Sequence, residues 1–546
     1  MSLRPPGEPP AGRGHAALTV LAVLALLLGG YGLFRADAGL ATRQVTVDGV
    51  PLTEVRTDDG AGAARRPGVV IAHGFAGSAR LMRPLADTAA RRGAVALLLD
   101  FAGHGGNPAG LPGAGGDDAA SRVALEHALA VAVAHLRGRP DVDPTRIVLV
   151  GHSMGAGAVT RYAAGHPDIA GTVAISLPDG GDLPDARPQR LLLIVGGLEF
   201  PAFRATAEAT ARRGVGRRVV VVPGVEHISV LFAERTHREV AGWVGGGGGA
   251  APRPAARLVP AGLLLLGFGL GFVPLAAVLT GHRPRPRRGR QVAPAPVVLA
   301  VATAAIGPGV LLARVLPTTR LPLAVGDYLT GFLLVTGVLL AAVRHVPGRL
   351  FPAGPASVGP AAADDPVPVG GPALVGPAAA DDPVPVGGPA LVGPAAADDP
   401  VPADGHTPLR PVVAALLLTG YAVAAVAVPI HLGLTWARPV GARWWLLPVV
   451  AVGCLAFLAG AELVTQGRSW RYAAVGALAV PALGGAAVVG VAPGFVLLVV
   501  PLFAVLFGWQ AAWAAVLRRT GAPWWAPALV GAVLVAWPLA TALPLS

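Results

Sequence analysis

Arg146-Ile-Val-Leu-Val-Gly-His-Ser-Met-Gly155 is the stretch on which the fold turns. Ile147 to Val150 is a short apolar run, suited to a strand buried on both faces of a sheet. Gly151-His-Ser-Met-Gly155 follows at once and fits G-x-S-x-G. That pattern serves a sharp turn between strand and helix, which holds a serine hydroxyl above the sheet edge. Its glycines suit a place where backbone and helix approach so closely that a side chain would clash. Gly157, with Ala156 and Ala158, keeps the start of the next helix slim. In a chain this rich in Gly and Ala the pentapeptide alone is weak. The strand before it and the helix after it make Ser153 the candidate nucleophile.

Outward from Ser153 the same rhythm repeats. Gly68 to Ala72 is an apolar run ending at His73, and Ala94 to Leu99 is another ending at Asp100. Ala79 to Arg92 between them has helical composition, and Asp118 to Leu136 shows apolar positions recurring at three and four. Further strands are expected at Thr172 to Ser176, Leu191 to Val195 and Arg218 to Val222. Short apolar strands alternating with helices predict an α/β domain, with a mostly parallel sheet covered on both faces, over residues 45–245. The glycine run Gly245 to Gly249 opens a Gly/Pro linker over 246–256.

Residues 68–230 resemble the α/β-hydrolase superfamily, in particular its compact, lidless dienelactone-hydrolase-like and serine-peptidase-like members. Ile71-Ala-His-Gly-Phe-Ala-Gly-Ser78 looks like the family's strand and HG-x oxyanion loop, and Asp100-Phe-Ala-Gly-His-Gly-Gly106 resembles its D-x-x-G-H-G turn. Val195-Gly-Gly-Leu-Glu199 and Gly224-Val-Glu-His227 match the places where the family carries its acid and its histidine. The resemblance covers well under half of the chain.

The chemistry asks for the same residues. A serine is a weak nucleophile until a base takes its proton, and His227 follows the last strand, as a base reaching back over the sheet edge would. The base needs an anion to fix its tautomer. Glu199 gives the order serine, acid, histidine expected of this fold. Asp179 and Asp182, after the preceding strand, compete for that role, whereas Glu226 adjoins His227 and adjacent side chains diverge. The backbone N–H groups of Met154 and Phe75 are the expected oxyanion donors. Asp100 is expected to organise a turn. No Rossmann, Walker or HExxH pattern occurs, and neither a metal nor a cofactor is expected. About 20 residues between Ser176 and Gly196, rich in Pro and Gly, are too few for a large lid. The site is therefore expected to be open unless membrane or helices roof it.

The remainder reads differently. Of 546 residues 53% are apolar and only 14% charged, with a mean hydropathy of +0.60. After a cytoplasmic N-terminus, 1–16, a first transmembrane helix is expected over 17–34, uncleaved although its basic-then-apolar start is shared with signal peptides. Eight further spans are expected near 257–279, 293–313, 321–343, 411–432, 444–461, 472–490, 493–517 and 524–542. They group as helices two to four over 257–343, with a basic loop at 281–291, and helices five to nine over 411–542. Between the groups, the linker 344–410 holds 17-residue Pro- and Gly-rich repeats that cannot form a core and read as disordered.

A net charge of +12 comes from arginine, since lysine is absent, and the Gly/Ala/Pro/Val usage fits a high-GC bacterial coding bias. The arginines fall between apolar segments, so topology explains them and nucleic acid is not an expected partner. The basic loop puts its side in the cytoplasm and the hydrolase domain outside, with Arg438 and Arg443 counting against. The single cysteine, Cys454, excludes an intrachain disulfide framework.

The expected function is a membrane-tethered serine hydrolase of ester bonds, with thioester, amide or acyl-transfer chemistry open to the same triad. A small-molecule, lipid or cell-envelope acyl substrate and the bilayer are its expected partners, and the oligomeric state is left open. The competing expectation is a transport or sensing protein in which the hydrolase domain is a processing module or relic. Asp327, within the fourth span, is the residue that would favour it.

Overall fold

The computed structural model describes residues 11–58, 65–115, 119–181, 183–245, 251–281, 293–343 and 409–546. Asp182, the glycines at 246–249, most of the basic loop and the 17-residue repeats lie outside the described residues.

The chain enters through an apolar helix, α1 (Ala11–Asp37), and turns into a hairpin of β1 (Leu40–Val47) and β2 (Val50–Thr57). Asp48 and Gly49 form its two-residue turn with φ of 46° and 74°, the double left-handed geometry that Asp-Gly favours. There follow β3 (Arg66–Ala72), α2 (Arg83–Arg91), β4 (Val95–Leu99), α3 (Ala119–Arg137), β5 (Val142–His152), α4 (Met154–Gly165), β6 (Gly171–Ile175), β7 (Leu191–Gly196), α5 (Pro201–Arg212), β8 (Arg217–Val222) and α6 (Glu234–Val244).

The eight strands form one sheet in the order β1-β2-β4-β3-β5-β6-β7-β8, antiparallel at β1/β2 and β2/β4 and parallel elsewhere. Every residue of β4, β6 and β7 is buried, which explains why these strands read as continuous apolar runs. Val69, Ile71, Val150 and Ile194 fill one face, while Val70, Leu97, Leu149 and Val159 belong to the core of the other. The six strands from β3 on run parallel to one another and end on the same side. The loops after β3, β4, β5, β6, β7 and β8 therefore share one edge.

Eight helices follow among the described residues: α7 (Leu258–Thr280), α8 (Ala295–Leu312), α9 (Gly326–Ala342), α10 (Leu409–Gly433), α11 (Arg443–Thr465), α12 (Ser469–Val488), α13 (Val496–Arg519) and α14 (Ala526–Ala542). With α1, seven helices among the described residues are long and apolar enough to cross a membrane, and α9 and α14 are apolar but only 17 residues each. Glycine lets α9 and α11 meet backbone to backbone, since a Cβ on Gly337 would lie 2.2 Å from the carbonyl carbon of Ala456. Asp327 sits in the first turn of α9 and accepts a hydrogen bond from the Tyr328 N–H at 2.6 Å. It is bonded at a helix start.

The helices alternate in direction. One end of the bundle gathers the C-terminal ends of α1, α8, α10, α12 and α14 with the N-terminal ends of α7, α9, α11 and α13. Arg257 before α7 binds Asp37 of α1 at 2.6 Å, Arg314 after α8 donates to the Gly490 carbonyl, and the Ala324 N–H donates to the Pro544 carbonyl. The hydrolase-like domain rests on this end through the loops after β3 and β4. Ser78 shares a 2.8 Å hydrogen bond with Thr435, and Arg80 donates to the His431 carbonyl at 2.9 Å. Leu545 exchanges backbone hydrogen bonds with Gly103 and Leu111, each at 2.8 Å.

Arg443 fastens the junction. Its guanidinium is fully buried and donates to the Gly103 carbonyl at 2.6 Å and to the Leu543 carbonyl at 3.1 Å. Hydrogen bonds from a charged donor are worth about 1.5–3 kcal/mol each. Arg443→Met keeps most of the volume and removes both, so hydrogen exchange at the amides of Phe101–Leu111 should quicken by at least about tenfold. Unchanged exchange would show that the clamp contributes nothing to that turn.

Candidate active site

Ser153 lies between the end of β5 and the first residue of α4, with φ 51° and ψ −117°. A non-glycine residue held there costs of order 1–3 kcal/mol and persists only where the surroundings impose it. Gly151 would place a Cβ 2.3 Å from the Gly155 carbonyl oxygen, and Gly155 would place one 2.5 Å from the His73 carbonyl oxygen. Both glycines are thus sites of backbone contact. A Cβ on Gly74 would come within 3.0 Å of Ser153 Cβ, so the loop after β3 presses directly against the elbow.

Glu199 and His227 meet over the same edge. Glu199 Oε2 lies 3.2 Å from His227 Nδ1, and both side chains are nearly or fully removed from solvent. The other carboxylate oxygen, Oε1, accepts from Ser176 Oγ at 2.6 Å and from the Gly196 N–H at 2.7 Å. The carboxylate is thus pinned by two donors with its free edge toward the imidazole. Phe203 packs its ring 4.8 Å from that of His227. His152 Nε2–H donates to the His227 carbonyl at 2.9 Å, and its ring lies 4.8 Å from the His227 ring. Burial pushes the His152 imidazole down to about 3, with the nearby His227 adding to it, so it is a neutral donor here.

The competing acid is placed elsewhere. Asp179 is exposed, and its carboxylate accepts from the Gly181 N–H at 2.9 Å in a local turn. Asp182 is outside the described residues. Glu226 turns away from His227 to cap Ile228 and Ser229, at 2.8 and 2.7 Å.

Met154 is the first residue of α4, so its N–H has no acceptor within the helix. The Phe75 N–H makes no hydrogen bond among the described residues. Its loop is held from behind. His73 Nδ1–H donates to the Gly74 carbonyl at 2.8 Å, while Nε2 accepts from the Phe101 N–H at 3.2 Å. That arrangement fixes a neutral tautomer, and burial pulls the His73 imidazole below its ordinary value. Asp100 organises the neighbouring turn, accepting from the N–H groups of Ala79 at 2.7 Å and Gly106 at 2.9 Å. Burial raises this carboxyl, with His73 and the two N–H donors opposing.

A row of rings joins this loop to the helices. Phe495, at the start of α13, stacks on Phe75 at 4.2 Å; Phe75 meets His104 at 5.8 Å; His104 and Phe101 each lie 5.1 Å from His73. The loop that carries Phe75 is therefore backed by the helical bundle. Ser176, His152 and Arg443 take part in this architecture without a sequence signal of their own. Ser176 stands at the end of a strand, His152 within the elbow, and Arg443 reads as an ordinary loop charge.

The acid can be tested directly. Glu199→Ala should lower kcat by at least about a hundredfold in a site that works through His227, the scale on which general-base partners act. Asp179→Ala should leave kcat within about twofold, as for a surface change away from the reacting groups. Steady-state ester hydrolysis by the two variants checks this, and the reverse ranking would move the acid to Asp179.

Residues 63–209 match the family described as serine aminopeptidase, S33. An uncharacterized protein of Mycobacterium tuberculosis, found in strains CDC 1551 and H37Rv, is 36% identical over 104 residues. That match spans 19% of this chain and about a third, 34%, of the relative. Among solved structures, a dienelactone hydrolase from Anabaena variabilis is 19% identical, covering 38% of this chain and 97% of that one with a TM-score of 0.29. An esterase from Pyrococcus furiosus is 20% identical, covering 39% and 95% with a TM-score of 0.31. The family match over 63–209, the mostly parallel sheet and the turn at Ser153 together identify an α/β-hydrolase domain similar to the serine aminopeptidases, carried by a chain with seven membrane-length apolar helices among its described residues.

Proposed function

We propose that the protein is a membrane-tethered serine hydrolase of carboxylic esters, working at the surface of the bilayer. The observation that carries this reading is the Glu199–His227 pair on the sheet edge that also holds Ser153 in its strained turn. In the proposed reaction His227 Nε2 takes the proton of Ser153 Oγ as that oxygen attacks the substrate carbonyl. Glu199 accepts the Nδ1–H bond and stabilises the imidazolium. The tetrahedral oxyanion is met by the N–H groups of Met154 and Phe75, the first reinforced by the N-terminus of α4. Collapse expels the alcohol, which receives the proton from His227, and leaves an ester on Ser153. Water, deprotonated by His227, then attacks that ester and regenerates the serine.

An acyl substrate suits the surroundings. Leu198, Phe200 and Ile228 flank Glu199 and His227 and are all exposed, at 67%, 56% and 41%. They stand on the same sheet edge as the loops after β3 and β4, through which the domain rests on the helix ends. Thioester and amide cleavage would use the same atoms; the apolar rim is what favours an acyl ester.

The orientation proposed is hydrolase domain outside. Arg468, Arg471, Arg518 and Arg519 all sit at the bundle end remote from the domain, where the rule of cytoplasmic arginines wants them. Arg443, which counts against this orientation as a loop charge, is instead buried in the domain junction. A membrane-impermeant fluorophosphonate should label wild-type protein on intact cells and fail to label Ser153→Ala. Labelling only after permeabilisation would reverse the orientation, and no labelling in either state would sink the serine-hydrolase reading.

A further inference from the structure

A cavity of about 140 Å³, lined by none of the residues around Ser153, lies between the end of α1, the helix α2 and the segment leading into α7. One water needs roughly 10–15 Å³ by the same measure, so there is room for a group of several heavy atoms. Its polar lining is dominated by Arg35, Arg91 and Arg253, together with Asp87.

The acid here is already matched. Asp37 and Asp87 are bridged by two arginines in a closed square: Arg257 reaches Asp37 at 2.6 Å and Asp87 at 2.8 Å, and Arg83 reaches them at 3.1 and 2.6 Å. Two positive and two negative charges cancel. Arg91 spends its guanidinium on the carbonyls of Ala36 and Ala38, at 3.0 and 3.2 Å, and meets no carboxylate there. Arg35 and Arg253 are exposed and make no ion pair among the described residues. The cavity is therefore left with three uncompensated guanidiniums.

Its depth narrows the ligand. Arg35 lies in the last turn of α1, directly after the apolar stretch, and Arg253 stands five residues before α7 begins. The cavity thus sits where two apolar helices leave the hydrocarbon layer, at the level of lipid headgroups. Leu27, Leu28, Tyr31 and Phe34 of α1 are exposed just below it, offering a surface for acyl chains. Guanidiniums bind phosphate through paired, charge-assisted hydrogen bonds.

We propose that this cavity binds a phosphate-bearing anion, the headgroup of an anionic phospholipid being the source its position favours. The lipid would tie α1 and α7 to α2 beneath the hydrolase domain. This site does not depend on the chemistry of Ser153, so it stands or falls separately.

The test uses the full chain in detergent micelles, with phosphatidylglycerol added and its retention counted by native mass spectrometry. Wild type should retain one lipid per chain. The double variant Arg35→Gln/Arg253→Gln should retain at least about tenfold less, as expected when two of three charged donors are lost. Arg204→Gln/Arg212→Gln removes the same charge from the exposed face of α5 and should retain lipid as wild type does. Excess inorganic phosphate should not displace the lipid; displacement would assign the cavity to free phosphate instead. Equal retention by wild type and the Arg35/Arg253 variant, with both eluting as folded protein, would overturn the proposal.

Discussion

The close approach of three backbones around Ser153 is the constraint on which the rest of the domain depends. Gly151, Gly155 and Gly74 each occupy a point where a Cβ would strike a neighbouring segment at 3.0 Å or less. Only with those positions bare can β5, α4 and the loop after β3 close on one another. That closure in turn holds Ser153 at a φ of 51° and leaves the first N–H of α4 pointing out of the helix. The turn at Ser153 is thus a packing solution first, and the backbone groups it leaves unsatisfied are what the proposed chemistry would use.

Around this centre the site is held from two directions. On one side Ser176 and the Gly196 N–H hold the Glu199 carboxylate, which meets the His227 ring, while His152 holds the backbone of His227 through its carbonyl. On the other side the loop carrying Phe75 leans on Phe495, and the turn after β4 is clamped by Arg443 and by Leu545. Among the described residues no helix lies between β6 and β7, and the helix ends back the loops after β3 and β4.

Much of the fold was legible because buried parallel strands leave no polar face to disguise them. β3, β4, β6 and β7 are apolar at nearly every position, and the elbow announces itself through glycine spacing. The β1–β2 hairpin was not read, although Asp48-Gly49 is a turn signal. β1, at the sheet's edge, carries Arg43 and Gln44, and β2 beside it carries Glu54 and Arg56, so their pattern is weak. The fourth helix begins at Gly326 rather than near 321, because a turn at Pro317–Arg320 takes up the preceding residues. Spacing alone could not separate Glu199 from Asp179, since both follow a strand that ends at the same edge. What separates them is tertiary: Ser176 and the Gly196 N–H hold one carboxylate toward His227, while the other turns back to Gly181. Arg443 is the sharpest case of a residue misread without its neighbours, a loop charge by sequence and a buried clamp in the fold.

The central claim is that Ser153 carries the acyl group, and trapping that intermediate tests it most directly. Full-length protein mixed with a p-nitrophenyl ester, quenched in acid and digested should yield the peptide containing Ser153 with the mass of one added acyl group. The adduct should be absent from Ser153→Ala and should accumulate within the burst of p-nitrophenol release. An acyl group on another residue, or steady hydrolysis with no adduct and no effect of the serine substitution, would contradict the account.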